Sequence, residues 1–81
     1  MVELSEKRIA TLNYAKTHNG VTLREASTHI YSHKSTASDS LKILTEENYL
    51  EVIKDTPINS SYNKLWVLSK KGKKILEALN A

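Results

Sequence analysis

The short break between the first two helical segments constrains this fold more than any other feature of the sequence. Asn19-Gly20 ends the first helix, with Gly20 supplying the left-handed residue beyond its C-terminus. Thr22 and Glu25 then have the spacing of a capping box, in which each side chain bonds the backbone N–H of the other residue. Apolar residues recur at helical spacing on both sides of this break. We therefore predict two helices joined by a tight turn, over residues 5–18 and 22–30.

A third helix is predicted over residues 33–48, and its two faces differ in character. Ala37, Leu41 and Leu44 are spaced by four and three positions, so they share one narrow apolar side. The opposite side is polar, and small hydroxyl side chains dominate its N-terminal half. This polar face holds Ser35, Asp39, Lys42 and Glu46, flanked by Ser38 and Ile43.

The rest of the chain predicts a hairpin and a fourth helix. Residues 51–55 and 65–68 favour β-strands, and the nine polar-rich residues between them form the loop of a hairpin over 51–68. Ser69 is a good N-cap for a last helix, over 69–80. The predicted order is helix, helix, helix, strand, strand, helix within one domain, 1–81.

Composition excludes several classes of protein. The 81 residues are 40% hydrophobic, which allows one domain with a small core. Cys is absent, so there is neither a disulfide framework nor a thiolate metal site. The longest apolar run, Leu65-Trp66-Val67-Leu68, is far shorter than the roughly 20 residues that cross a bilayer, and the first residues do not resemble a signal peptide. We expect a cytoplasmic protein with no membrane partner, no cofactor and no evident small-molecule ligand.

The net charge of +3 is distributed unevenly. Residues 51–81 contain six basic and three acidic side chains, whereas residues 34–50 contain two basic and three acidic ones. A mild basic excess permits an anionic partner without requiring one. If the partner is a nucleic acid, we expect affinity to come mainly from the last third of the chain and selectivity from the third helix.

The second and third helices, joined by a tight turn, form a helix-turn-helix. The major groove of DNA is about 12 Å wide and admits one helix, whose N-terminal side chains reach the base edges. Ser35, Thr36 and Ser38 are short enough to let the third helix approach the bases. The hairpin that follows is expected to lie along neighbouring phosphates or to enter the minor groove.

Four segments of the chain are similar to consecutive parts of one family. They are GVTLRE (20–25), HKSTASDSLKIL (33–44), ENYLE (47–51) and LSKKGK (68–73). They resemble the second helix, the recognition helix, the entry into the wing and the segment after the wing in winged helix-turn-helix regulators of the multiple-antibiotic-resistance, PadR-like and ArsR-like types. The resemblance covers nearly the whole chain. It implies an α+β winged helix-turn-helix fold, in which a three-helix bundle is followed by a two-stranded β-hairpin wing and a C-terminal helix.

The resemblance also implies a function and a set of contacts. It implies a non-enzymatic, sequence-specific transcriptional regulator, expected to repress by occluding a promoter, that binds double-stranded DNA as a homodimer at the nucleoid. The recognition helix would enter the major groove and the wing would contact the backbone or the minor groove. The predicted DNA-binding residues are Thr22, Arg24, His33, Lys34, Ser35, Thr36, Ser38, Asp39, Lys42, Asn59, Ser60, Ser61, Tyr62, Asn63 and Lys64.

Two of the departures from the family pattern bear on the predicted DNA contacts. Asp39 stands where the family usually has Arg in the recognition helix. An Asp repels phosphate, but it can accept a hydrogen bond from cytosine N4, or it can hold Lys42 or the helix end. The wing tip lacks the family's frequent Arg and has only Lys64, with Lys54, as its charges. A winged helix used for protein–protein assembly is therefore the alternative function, and RNA binding is a third.

The last helix raises two further hypotheses. Lysines at 70, 71, 73 and 74 lie at the start of the last helix, where positive charge is unfavourable for the helix dipole but suits the binding of anions. Lys70 and Lys71 are therefore candidates for phosphate contact, with electrostatic steering or solubility as alternatives. Ile75, Leu76 and Leu79 form an apolar stripe that either completes the core or makes a dimer interface. His29 and His33 are four residues apart, but the turn between them and the lack of a third ligand argue against a metal site.

Overall fold

Six regular elements follow one another in the predicted order. The computed structural model describes residues 4–54 and 64–79. Its helices are α1 (Glu6–His18), α2 (Leu23–Ala26), α3 (Lys34–Glu46) and α4 (Lys70–Leu79), and its strands are β1 (Leu50–Lys54) and β2 (Lys64–Leu68). No helix among the described residues is long and apolar enough to cross a membrane.

Side-chain caps begin three of the helices, as local sequence chemistry predicts. Ser5 accepts a hydrogen bond from the backbone N–H of Arg8 at the start of α1. Thr22 and Glu25 form the complete capping box at α2. Ser69 Oγ accepts from the backbone N–H of Gly72 at the start of α4. These short-range contacts are those that the sequence predicts.

The end of α1 differs from the prediction in one detail. Asn19, and not Gly20, is the left-handed residue, with φ of 59° and ψ of 33°. Gly20 follows with φ of 138°, a conformation that L side chains rarely adopt. A Cβ atom at Gly20 would also lie 2.7 Å from Cδ1 of Leu65. The glycine is thus required for the turn and for its close approach to β2, while Asn tolerates the left-handed cap.

The second helix does not end at Ile30 as one regular α-helix. After α2 the chain widens into a π-helical segment, Ser27–Tyr31, which we call the π-turn. Ser32 then adopts a left-handed conformation, with φ of 70°, and directs the chain into α3. Tyr31 belongs to the π-turn, and only 4% of its surface is exposed.

An isolated β-bridge adds Val21 to the edge of the hairpin. β1 and β2 are antiparallel, with Leu50 opposite Leu68 and Lys54 opposite Lys64. Val21 pairs with Trp66 on the other side of β2, through N···O distances of 2.8 and 2.9 Å in the two directions. The base of the wing is therefore bonded to the residue that immediately precedes the capping box of α2.

The core lies between the helices and the base of the hairpin. Its completely or almost completely buried side chains are Leu12, Val21, Leu41, Leu44, Leu50 and Leu76. Both α1 and α4 pack on the hairpin side of this core, and α2, the π-turn and α3 pack on one another. The result is an α3 helix supported along one face only.

Candidate nucleic-acid interface

The outer face of α3 is polar, and short hydroxyl side chains are frequent in its first half. Ala37, Leu41 and Leu44 are completely buried, which confirms the predicted inner face. The residues predicted to contact DNA from this region are all exposed: His33, Lys34, Ser35, Thr36, Ser38, Asp39 and Lys42. We call this set the α3 face. Because Ser35, Thr36 and Ser38 are short, the part of the helix backbone that follows Lys34 can approach a flat or grooved partner closely.

The charges along the exposed side of α3 cancel. Lys34 and Lys42 are balanced by Asp39 and Glu46, and all four side chains are exposed. The N-cap of α3 is His33, whose side chain makes no capping hydrogen bond. Free N–H groups at the start of a helix suit an anion such as phosphate. The N-terminal end of α3 is therefore the part of the helix that an anionic backbone would approach with least repulsion.

The two residues of the second helix that are predicted to contact DNA differ in exposure and in hydrogen bonding. Arg24 is exposed. Thr22 is half-buried, and its Oγ1 accepts from the N–H of Glu25 at 3.1 Å and donates to Oε1 of Glu25 at 3.2 Å. A DNA contact from Thr22 remains a prediction, and it would have to use a hydroxyl that the capping box already occupies.

A Tyr–Glu contact joins α1 to the capping box. The hydroxyl of Tyr14 donates to Oε2 of Glu25 at 2.9 Å, and the rings of His18 and Tyr14 stack with centroids 4.0 Å apart. Partial burial of the Glu25 carboxylate acts to raise its pKa. Hydrogen bonds from Tyr14 and Thr22, with the nearby charge of His18, outweigh burial and hold that pKa below its ordinary value. The same hydrogen bond raises the pKa of Tyr14.

A second contact joins α1 to the π-turn. The hydroxyl of Tyr31 lies 2.7 Å from Oγ1 of Thr11, and Thr11 Oγ1 donates to the carbonyl oxygen of Lys7 at 2.8 Å. Thr11 is completely buried. Two polar contacts, at Glu25 and at Tyr31, thus hold the two ends of the second helical segment against α1.

The wing is described only at its base. Lys64 is exposed at the start of β2. The predicted contacts at Asn59, Ser60, Ser61, Tyr62 and Asn63 lie outside the described residues.

Lys71 makes contacts that the sequence did not suggest. Its ammonium donates to the carbonyl oxygen of Glu47, the C-cap of α3, at 3.0 Å, and lies 4.8 Å from the centroid of the Tyr49 ring. A cation at the C-terminal end of a helix is favourable, and so is its position over a tyrosine ring. Lys71 therefore stabilises α3, although it lies at the unfavourable end of α4. Its contact with phosphate stays a prediction, as does that of Lys70, which is exposed.

The apolar stripe of α4 divides between core and surface. Leu76 is completely buried within the chain, which agrees with completion of the core, the first of its two predicted roles. A dimer interface stays a prediction for this stripe. Ile75 is partly buried against the core, and 47% of the Leu79 surface is exposed. Of the three residues, only Leu79 is exposed.

His29 and His33 belong to no cluster of metal-binding side chains among the described residues. His29 is exposed, and its ring stacks on Tyr14 with centroids 6.0 Å apart. Within residues 4–54 and 64–79, no group of three or more His, Cys, Asp or Glu side chains could hold a metal ion.

Solved structures share this fold. A complex of MepR from Staphylococcus aureus with DNA has a TM-score of 0.81 and 20% identity, over 94% of this chain and 61% of that one. A MarR family protein from Bacillus stearothermophilus gives 0.81 and 18%, over 98% and 53%. RV1404 from Mycobacterium tuberculosis gives 0.81 and 16%, over 94% and 50%. The chain thus spans about half to three-fifths of these proteins, and the likeness confirms the winged helix-turn-helix fold.

Sequence comparison adds no closer relative. The sequence matches no protein-family model and none of the curated proteins with which it was compared.

The structural roles of three residues near the interface were not predicted from the sequence. Ser40 is 94% buried although it is polar, and its spacing from Ala37 and Leu44 would have placed it on the inner face. Tyr31 and Lys71 gave no comparable local signal, since their partners are 20 and 24 residues away.

Proposed function

We propose that this chain is the DNA-binding part of a transcription regulator, with the α3 face in the major groove of duplex DNA. One observation supports this most directly: α3 buries one face completely and presents short hydroxyl side chains on the other. A helix with this surface can lie deep in a groove about 12 Å wide, because nothing bulky holds it away from the base edges. The base of the wing, bonded to Val21, would then follow the DNA backbone beside the groove.

The likeness to a DNA complex supports the same proposal. The MepR structure that shares this fold is a complex with DNA. The phosphate contacts proposed for this chain come from the uncapped start of α3, from Lys34 and Lys42, and from Lys64 at the wing. As a regulator acting on a two-fold symmetric operator, the protein would bind as a homodimer in the cytoplasm, at the nucleoid, without catalysing a reaction.

A salt titration of duplex binding tests the proposal. Fluorescence anisotropy with a labelled random-sequence duplex, followed by selection of bound sequences from random duplexes, would measure affinity and specificity. We expect the logarithm of the affinity to fall linearly with the logarithm of salt concentration. Absence of binding to any duplex at low salt would refute the proposal and would favour a role in protein–protein assembly.

Matched lysine variants locate the surface. Lys42→Gln removes one charge from the α3 face, and it should lower affinity for all duplexes and reduce the salt slope by about one. Lys16→Gln removes the same charge from a hollow between α1, β2 and α4, away from α3. We expect Lys16→Gln to change affinity less than Lys42→Gln. An equal loss in both variants would mean that the α3 face is not the contact surface.

A further inference from the structure

Asp39 is an exposed carboxylate in the middle of the α3 face, and no contact within residues 4–54 and 64–79 accounts for it. It is the sixth residue of α3, beyond the first turn where the helix dipole favours an acid. Its carboxylate makes no hydrogen bond or ion pair with the residues that the structure describes. Aspartate is also among the weaker helix formers. Neither helix stability nor a cap therefore explains why an acid occupies this position.

Asp39 is the only acidic side chain in the α3 face. Ser35 precedes it by one turn, and Ser38 is its neighbour, so the side chains that precede the carboxylate are short. Lys42 follows three residues later on the same side of the helix. A carboxylate this exposed would be repelled by any phosphate that it faced. On duplex DNA it is tolerated only where the groove floor offers hydrogen-bond donors.

The major groove offers such donors at two bases only, as the amino groups N4 of cytosine and N6 of adenine. Adenine presents its N7 acceptor beside N6, so an amide such as Asn, which both donates and accepts, suits adenine better than a carboxylate does. Cytosine presents its amino donor without an acceptor on the same base. A carboxylate, which accepts only, is therefore matched to cytosine.

We propose that Asp39 is a specificity-determining residue that accepts a hydrogen bond from cytosine N4 and so fixes a C·G pair in each bound half-site. The inference rests on the proposed DNA-binding function, because it assigns a base to one residue of that surface. It predicts that Asp39 lowers affinity for DNA in general while raising the preference for one base pair. Affinity and selectivity at this position are therefore opposed.

Selection of bound sequences from random duplexes by the wild type, Asp39→Asn and Glu46→Gln tests the proposal. The wild type should prefer cytosine at one half-site position by about tenfold over the other bases. Asp39→Asn should move the preference at that position from cytosine to adenine, and it should bind random duplexes more tightly. Glu46→Gln removes an equal charge from the same side of α3, further along the helix, and should leave the base preference unchanged.

The outcomes separate the inference from the function on which it rests. Retention of the same cytosine preference by Asp39→Asn, or an identical change in Glu46→Gln, would overturn the assignment of Asp39. Binding of every duplex with equal affinity by the wild type would overturn it as well. Failure of all three proteins to bind any duplex at low salt would overturn the DNA-binding proposal itself. Circular dichroism of the three proteins verifies that each is folded.

Discussion

Tyr31 and Thr11 share a buried hydrogen bond, 2.7 Å between their hydroxyl oxygens, that joins the end of the π-turn to the middle of α1. The Tyr31 hydroxyl also lies 3.2 Å from the carbonyl oxygen of Lys7. α3 begins only three residues after Tyr31. The direction in which the proposed recognition helix leaves the turn therefore depends on a side-chain contact with a different helix.

Removing that hydroxyl should destabilise the fold. We expect Tyr31→Phe to lower the free energy of unfolding by about 1 kcal/mol, because a buried hydrogen bond is lost while the ring is retained. Urea denaturation measures the change. Tyr49→Phe is the matched control, since the Tyr49 hydroxyl makes no hydrogen bond with the described residues, and it should cost clearly less. Equal losses in both variants would contradict the role given to the Tyr31 hydroxyl.

The Glu25 carboxylate should make stability depend on pH in the acid range. Its pKa is lower in the folded chain than the ordinary value of 4.5, so its contribution is fully present above that pH. The contribution is lost as the pH falls below 4.5 and through the lowered pKa. Glu25→Gln should therefore differ most from the wild type at neutral pH and least in acid, as measured by urea denaturation at several pH values. A constant difference across this range would argue against the prediction.

Gly72 should tolerate no side chain. A Cβ atom there would overlap the carbonyl oxygen of Tyr49 and lie 2.7 Å from Cδ1 of Leu68. Gly72→Ala should cost about 3 kcal/mol despite the higher helix propensity of alanine, because the backbone of the neighbouring segment cannot move aside easily. Thermal unfolding followed by circular dichroism measures the loss. The exposed neighbour gives the control: Lys73→Ala should change stability by less than about 0.5 kcal/mol.

Lys71 should stabilise the fold through its contacts with the end of α3. Lys71→Met keeps an apolar stem but removes the ammonium from Glu47 and from the Tyr49 ring, and we expect a loss of about 0.5–1 kcal/mol. Lys70→Met removes the same charge from an exposed position of the same helix turn and should have little effect on stability. Urea denaturation of both variants is the measurement. A larger loss in Lys70→Met would contradict the bridge between α4 and the end of α3.

Local chemistry explains why most of the fold could be predicted. Ser5, Thr22 and Ser69 act within three residues of themselves, so their caps are visible in the sequence. The inner face of α3 follows from helical spacing in the same way. The π-turn could not be predicted, because no local sequence signal marks the widened helix. Tyr31, which it buries, makes its hydrogen bond with Thr11, 20 residues earlier in the chain.

The candidate site was predictable to a similar degree and for similar reasons. Exposure of the α3 face follows from the periodicity of its buried residues. The contribution of Lys71 does not, because the end of α3 lies 24 residues before it and meets it only after the hairpin has formed. For the same reason Leu76 could be assigned equally to the core or to a dimer until the packing of α4 was known.

The one-sided burial of α3 has an evolutionary consequence. The residues that hold the helix in the core and those that it offers outward form two separate sets, and the outward set makes few contacts with the rest of the chain. Exchanges on the outer side should cost little folding free energy. Under the proposed function, descendants of such a chain can therefore acquire new DNA-sequence preferences one substitution at a time, without first gaining stability elsewhere to compensate.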